Sequence, residues 1–258
     1  MQVLLSPAKT LTATQPHHPN LAHAMTVPVA AAHASDIAQA LSTWTRSMTQ
    51  RELKLSDALA DRVYSWHQTW NINSPYAAGW TFQGDAFKSL DLASWSLEDV
   101  HEAQRRLRIV HGVYGLLRPL DQFSPVRLEM AQTFSHNPGF KTLAAFWRAH
   151  LPQLLQGDLE RERQTQILNL ASAEYGDVAL HGFDASQVVV CQFLERKHGK
   201  DKSISAFAKA ARGAMARYVL KNRIQDPLLL EGFCDKGYVY DPEKSTATLK
   251  VFVRPLPS

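Results

Sequence analysis

Short apolar runs alternate along the chain with longer stretches in which apolar residues recur every three or four positions. The short runs, bounded by turn or polar residues, are typical of buried strands; they cover residues 2–5, 108–117, 166–170 and 188–194. The longer stretches predict amphipathic helices; they cover about residues 35–48, 56–70, 96–107, 142–155 and 205–222. Strict alternation over residues 237–240 and 246–254 predicts a terminal hairpin.

Local signals refine these boundaries. Thr49 to Glu52 has the form of a capping box, and Ser56 and Ser96 are suitable first residues for the helices that follow them. Residues 12–28 contain three prolines and no sustained period, which predicts an extended surface segment.

Strands and helices are interspersed, without an internal repeat or a linker. This order predicts an α/β protein (mixed α+β) whose residues 1–258 form a single compact domain. With 258 residues, 45% of them hydrophobic, the chain can bury a sizeable core. The apolar residues 3–5 are followed at once by Ser6-Pro7, and the run near Pro28 is too short for a bilayer, so we expect a cytoplasmic protein with no membrane association. Cys191 and Cys234 match no metal or redox spacing.

Three predicted strands are followed by polar residues that a core does not require. These residues are Lys9 after the first strand, Arg118, Asp121 and Arg127 after the second, and Asn169, Ser172 and Glu174 at and after the third. Strand ends in α/β folds commonly border a ligand crevice, so we expect these side chains to share one positively charged cleft. The alternative is that Arg118, Asp121, Arg127 and Glu129 pair with one another and hold loops.

Such a cleft is compatible with an enzyme. Lys9, Arg118 and Arg127 are suited to binding an anion, and Asp121 or Glu174 to acting as general acid or base, with Asn169 beside them. The chain contains no G-x-x-x-x-G-K-[ST], G-x-G-x-x-G, G-x-S-x-G or H-E-x-x-H motif. The residues therefore leave both the activity and its substrate open.

The stretch 202–223 and the residues just before it have a strong local excess of positive charge. Between residues 196 and 223 there are nine basic residues and one acidic residue, whereas the formal net charge of the whole chain is +4. On a helical projection Phe207, Ala211, Ala214 and Met215 lie on one side. The opposite side carries the basic residues Lys202, Lys209, Arg212, Arg217, Lys221 and Arg223, separated by the small residues Ala206, Ala210, Gly213 and Ala216. A flat face of one sign predicts contact with a nucleic-acid phosphate backbone.

Two alternatives stay open for Gly112-Val-Tyr-Gly115. The glycines are suited to the tight turn of a helix-hairpin-helix, where backbone N–H groups reach phosphates. Residues 108–117 are equally typical of a strand, in which the glycines permit close packing.

Carboxylate and histidine pairs at helical spacing raise the question of iron. The pairs are Glu98 with His101 and Glu195 with His198, and both are flanked or interrupted by Arg or Lys. A buried di-iron site requires two such pairs and two further carboxylates inside an apolar bundle. We therefore predict no stable metal and no cofactor.

Several of these segments resemble the YaaA family of peroxide-stress proteins. The resemblance is carried by five ordered motifs: Ser-Pro-Ala-Lys-Thr-Leu at 6–11, Phe-Gln-Gly-Asp at 82–85, Gly-Val-Tyr-Gly-Leu-Leu-Arg-Pro-Leu-Asp at 112–121 with Arg-Leu-Glu-Met at 127–130, Asn-Leu-Ala-Ser at 169–172 with Glu-Tyr at 174–175, and Ala-Lys at 208–209 with Ala-Arg-Gly at 211–213. The chain departs from the family pattern at Ala86-Phe87, Ala131 and Ala210.

The resemblance implies a role in the response to hydrogen peroxide that limits intracellular free iron. It also implies DNA binding, an unusual α/β fold with a positively charged cleft, and a helix-hairpin-helix element. The leading hypothesis is therefore a protein that binds double-stranded or structured DNA without sequence preference. The alternative is an enzyme that acts on a nucleotide, a nucleobase or another anion at the cleft.

Overall fold

Eight strands form one mostly parallel sheet in the computed structural model, which describes residues 1–134 and 140–255. The strands are β1 (Gln2–Leu5), β2 (Leu107–His111), β3 (Gly115–Leu117), β4 (Ile167–Asn169), β5 (Val188–Lys197), β6 (Lys200–Lys202), β7 (Val239–Tyr240) and β8 (Leu249–Pro255). Their order across the sheet is β3-β2-β1-β4-β5-β8-β7, and β6 pairs with β5.

The first strand lies between two partners that come much later in the sequence. It runs parallel to β2 on one side, with Leu5 opposite Ile109, and parallel to β4 on the other, with Leu4 opposite Asn169. All four residues of β1 are buried. The strand ends before Pro7, which has no N–H to donate to a neighbouring strand. The strand order therefore reverses at β1, and such a reversal opens a crevice at the carboxyl ends of the strands.

Helices cover the sheet and surround the crevice. They are α1 (Pro19–His23), α2 (Ala31–Ser42), α3 (Arg46–Leu53), α4 (Asp57–Gln68), α5 (Ala78–Thr81), α6 (Asp85–Leu90), α7 (Leu97–Arg106), α8 (Leu143–Arg161), α9 (Ala173–Ala179) and α10 (Ser205–Lys221). Short 3₁₀ turns lie at Leu92–Ser94, Ala185–Gln187, Pro227–Gly232, Asp235–Gly237 and Pro242–Lys244. One apolar core extends from Met1 to Phe252. The prediction of a mixed α/β domain is confirmed.

The helix starts at Ser56 and Ser96 are as predicted, and the Ser96 side chain accepts a hydrogen bond from the Asp99 N–H at 3.2 Å. The capping box at Thr49 is wrong. The cap is Thr45, whose hydroxyl accepts from the Met48 N–H, and Thr49 lies buried inside α3.

Two further predictions need correction. The segment 12–28 is not wholly extended, because residues 19–23 form α1 and bury Leu21. The helix that contains Pro152 continues beyond it to Arg161. The terminal hairpin is confirmed, since β7 and β8 pair antiparallel. Among the helices of residues 1–134 and 140–255, none combines the length and the hydropathy that a membrane crossing requires.

Candidate functional site

A cavity of about 370 Å³ lies where the carboxyl ends of β1, β2 and β4 meet. The first strand contributes the segment from Leu5 to Thr10, the second contributes His111, and residues just beyond the third contribute Leu170 and Ser172. The first and third strand ends are joined directly, because the Ser172 N–H donates to Ser6 Oγ at 2.8 Å. The start of α6 and one side of α10 close the cavity from the other direction.

Basic side chains from four distant parts of the chain reach this cavity. They are Lys9 after β1, Lys88 on α6, Arg127 in the loop after β3, and Lys209 and Arg212 on α10. Lys209 is exposed and Arg212 is half-buried. Within the described part of the chain, neither of these two forms an ion pair or a side-chain hydrogen bond. Burial lowers the pKa of the Arg212 guanidinium, which shows that its charge is partly shielded from water without a carboxylate to compensate.

Three carboxylates lie in the same cavity, from Asp85, Glu129 and Glu174. Glu129 accepts from Arg127 Nε at 2.8 Å and lies 3.4 Å from Lys9 Nζ, so it links two of the bases. Glu174 accepts from the Ala131 N–H at 3.0 Å. Five bases and three acids leave two positive charges, which makes the cavity suitable for an anion.

The backbone of Arg127 is held from outside the cavity by His67, a buried residue of α4. The His67 Nε2 group donates to the Arg127 carbonyl oxygen at 3.2 Å. Burial lowers the pKa of His67 to about 4, so the ring is neutral near pH 7. The loop that carries Arg127 and Glu129 is therefore fixed against a helix.

Only some of the strand-end residues predicted from the sequence line the cavity. Lys9, Arg127, Ser172 and Glu174 line the cavity. Arg118, Asp121 and Asn169 do not.

Arg118 and Asp121 form an ion pair of 3.0 Å, in which the Asp121 carboxylate is fully buried. Asp121 also accepts from the Thr26 hydroxyl, and Asn169 accepts from the Ala171 N–H at 3.0 Å. Arg118 and Asp121 thus pair as the alternative describes, because residues three apart in a turn reach each other readily. Arg127 and Glu129 also pair, at 2.8 Å, but these two line the cavity as well.

Only some of the basic residues predicted on α10 line the cavity, too. Of the four small residues of the helix's predicted flat face, Ala206 is exposed and Ala210 is half-buried, but the other two do not lie open to solvent. Gly213 and Ala216 are buried, and a Cβ atom at Gly213 would lie 1.9 Å from the Ala86 carbonyl oxygen. α10 therefore packs closely on α6 along this stripe.

Further along α10 the bases are paired. Arg217 Nη1 lies 2.9 Å from an Asp91 carboxylate oxygen, and Lys221 Nζ lies 3.0 Å from one of Asp99. Lys202 lies on β6, exposed and outside the cavity. Phe207 is not on the buried side, since its ring is exposed and stacks under the Arg254 guanidinium at 4.2 Å.

Gly112 and Gly115 belong to a β-hairpin, in which β2 and β3 pair antiparallel, Gly112 lies in the turn, and Gly115 begins β3. A Cβ atom at Gly112 would lie 2.1 Å from the Leu128 carbonyl oxygen, and Gly115 has a φ of +66° against the Trp147 ring. Both glycines are buried. The glycines permit close packing, as in the second alternative, but the single strand predicted over residues 108–117 is divided into two strands by a turn at residues 112–114.

Several lining residues were missed as site candidates by the sequence reasoning, among them His111, Asp85 and Lys88. His111 ends β2 in the structure, but the predicted strand over residues 108–117 placed it inside a strand and not at its end. Asp85 begins α6, and no strand pattern precedes it.

Metal ligands show no comparable convergence. In residues 1–134 and 140–255, no three side chains of His, Cys, Asp or Glu come together as a group that could hold a metal ion. The absence of a bound metal stays a prediction.

Known proteins are similar to this chain along nearly its whole length. Residues 1–244 match the family model described as peroxide stress protein YaaA. A UPF0246 protein of Magnetococcus marinus is 36% identical over 258 residues, covering 98% of this chain and 99% of the relative. A UPF0246 protein of Shewanella baltica strain OS185 has the same identity and coverage.

Proposed function

Since the chain belongs to the YaaA family of peroxide stress proteins, we propose that it acts in the cytoplasmic response to hydrogen peroxide by binding DNA at the exposed edge of the cavity. In this proposal the contact with DNA is the route by which the protein limits free iron and oxidative damage. Double-stranded or structured DNA is held through its phosphates, without sequence preference.

The observation that carries the proposal is the convergence of Lys9, Arg127, Lys209 and Arg212 on one cavity. The side chain of Lys9 is 68% exposed, so it is accessible to a macromolecule. Lys209 and Arg212 have no acidic partner among the residues that the structure describes. These two bases are therefore favourable for phosphate binding, because each neutralised phosphate releases counterions.

The bases at the far end of α10 contribute less in this proposal. Arg217 and Lys221 already pair with Asp91 and Asp99, and binding a phosphate would require those pairs to break. Their role in DNA binding stays a prediction that the experiment below tests, and that of Lys202 and Arg118 also stays a prediction.

The test measures duplex binding by fluorescence anisotropy over a range of salt concentrations. The double substitution Lys209→Ala and Arg212→Ala should weaken binding to all duplexes similarly. It should also flatten the slope of log affinity against log salt by up to about 2, since each phosphate contact contributes roughly 0.9. The pair Arg217→Ala and Lys221→Ala should have a smaller effect.

The matched control is the pair Arg62→Ala and Arg148→Ala, which removes two exposed charges that lie outside the cavity. It should leave the slope nearly unchanged. A folded Lys209/Arg212 variant that retains both the affinity and the slope of the wild type would refute DNA binding at this cavity.

An enzyme is the second candidate, and the carboxylates of Asp85, Glu129 and Glu174 in the same cavity support it. Asp121 is no longer a suitable acid or base, because it is fully buried against Arg118. Glu174 remains the best candidate for proton transfer at a bound anion. If Glu174→Gln abolishes function in peroxide-treated cells while DNA affinity is retained, the enzyme is favoured.

A further inference from the structure

His111 is the most deeply buried polar residue of the cavity. It ends β2, only 3% of its surface is exposed, and it lines the cavity. Aromatic rings surround it, with Phe123 edge-on at 5.4 Å, Tyr114 at 5.6 Å and Phe82 at 5.8 Å between ring centroids. These contacts hold the ring in one orientation.

The hydrogen bonds of the ring determine where its proton lies. The backbone N–H groups of Val113 and Tyr114 donate to Nδ1 at 3.0 and 3.3 Å. Because Nδ1 accepts, the neutral ring carries its proton on Nε2. Burial lowers the pKa of His111 to about 3, so this tautomer is retained across the physiological range.

The Nε2–H group has no acceptor among residues 1–134 and 140–255. This nitrogen is not sealed inside the protein, so its N–H group is accessible from the cavity and available to a ligand. Arg212 in the same cavity also lacks a partner, because it is a half-buried cation without a counter-ion. One ligand that combines negative charge with a neutral hydrogen-bond acceptor would satisfy both groups.

The charge and size of the cavity narrow the class of ligand. Its two excess positive charges match a dianion, and a phosphomonoester is a dianion whereas each phosphate of DNA carries a single charge. Inorganic phosphate would leave most of the 370 Å³ unfilled, and a volume of this size is typical of sites for small organic ligands, about 300–1,000 Å³.

We propose that the cavity binds a small phosphomonoester and that His111 is one of its binding residues. The phosphate lies against Lys209 and Arg212, and Nε2–H of His111 donates to an oxygen or ring nitrogen of the organic part. The site uses the same cations as the proposed DNA contact, but it binds a free small molecule whether or not DNA is present.

The test uses isothermal titration calorimetry on the whole chain without DNA, at pH 7.5. The probes are adenosine 5′-monophosphate, ribose 5-phosphate and inorganic phosphate. At least one of the two organic phosphates should bind at least ten times more tightly than inorganic phosphate. Comparing the affinities of the two organic probes then distinguishes a nucleotide site from a sugar-phosphate site. Equal affinity for all three probes, or no binding at all, would overturn the proposal.

The substitution His111→Phe keeps the ring and removes the donor. It should reduce the affinity for the organic probe about tenfold and leave that for inorganic phosphate unchanged, whereas Arg212→Ala should weaken both. A folded His111→Phe protein that binds the organic probe as tightly as the wild type would overturn the role of His111. Since these titrations contain no DNA, their failure and that of the DNA proposal are distinguishable.

Loss of the two backbone hydrogen bonds to Nδ1 could prevent the Phe variant from folding, so a second measurement uses the wild type. Two-bond ¹H–¹⁵N spectra report the tautomer of each histidine ring. The spectra should show Nε2 of His111 as the protonated nitrogen, and its ¹⁵N resonance should shift when the organic probe is added to saturation, and not with inorganic phosphate. An unshifted resonance at saturation contradicts a contact with His111.

Discussion

At the scale of single residues, the most informative side chain is Arg212. A half-buried guanidinium loses hydration, and here no carboxylate of the described chain compensates for that loss by pairing with it. Residues that are kept for binding are often unfavourable for stability. The expected consequence is that the folded protein tolerates the loss of this charge better than it tolerates the loss of a buried ion pair.

The substitution Arg212→Met tests this, because it keeps most of the side-chain volume and removes the charge. We expect the free energy of unfolding in urea to be unchanged or to rise by up to about 1–2 kcal/mol. The same change to Arg108, which is buried against Asp158, should lower it by up to about 3–5 kcal/mol, because the buried carboxylate then keeps only Arg161, a partly exposed partner. A large loss of stability in Arg212→Met would contradict this interpretation.

His67 predicts how stability depends on pH. Its folded pKa of about 4 lies below the ordinary value of 6.5, so on acidification the unfolded chain binds a proton first. The free energy of unfolding should therefore fall as the pH drops from about 6.5 to about 4 and level off below that, by up to about 3 kcal/mol. Above pH 6.5 this contribution is fully present.

The substitution His67→Gln retains an N–H group for the Arg127 carbonyl and removes the titration. Urea unfolding between pH 4 and pH 8 should then show a weaker dependence on pH. Part of the dependence should remain, because His111 has a lowered pKa and titrates over the same window in the unfolded chain. An identical dependence in wild type and variant would mean that His67 is not protected from protonation.

At the scale of elements, the close contact between α6 and α10 is built on Gly213. Alanine normally favours a helix over glycine by about 1 kcal/mol. Here the added Cβ atom would lie 1.9 Å from the Ala86 carbonyl oxygen, so the two helices would have to separate. Gly213→Ala should lower the free energy of unfolding by about 1–3 kcal/mol.

The matched control is Gly157→Ala in α8, where an added Cβ atom meets nothing within 4 Å. There the helix preference of alanine should act alone and raise the free energy of unfolding by up to about 1 kcal/mol. Urea unfolding of both variants measures the contrast. The interpretation fails if both substitutions stabilise the protein.

Individual elements were predictable wherever the signal was local. The buried run of β1, the caps at Ser56 and Ser96, and the positions of β4 and β5 follow from short stretches of sequence. The stripe of small residues on α10 was misread, because small residues between charges look the same whether they face water or another helix. Only the position of α6 distinguishes these cases, and that position depends on tertiary packing.

At the scale of the whole molecule, the rule that strand ends border a site located the cavity correctly. Lys9, Arg127 and Glu174 meet there because β1, β2 and β4 are parallel neighbours. The rule failed for Arg118 and Asp121, which satisfy each other within one turn. The sequence also did not reveal that Lys209 and Arg212, from a helix after β6, would complete the same cavity.

The metal prediction belongs to this scale because it concerns the arrangement of all candidate ligands. No group of three such ligands occurs in residues 1–134 and 140–255. After incubation with ferrous iron under anaerobic conditions and desalting, the protein should retain much less than one iron atom per chain by elemental analysis. Stoichiometric retained iron would contradict this and would favour direct sequestration over an indirect effect.

The place of β1 between β2 and β4 has a consequence for biosynthesis. A ribosome adds about 5–20 residues per second, and β2 follows β1 by roughly 100 residues, so a nascent β1 has no partner for about 5–20 seconds. Arg212, roughly 200 residues after β1, completes the cavity only later. During this interval an apolar strand that is buried in the folded protein is exposed to solvent. This exposure makes the emerging chain a substrate for chaperones. The cavity becomes competent for binding only when translation is nearly complete.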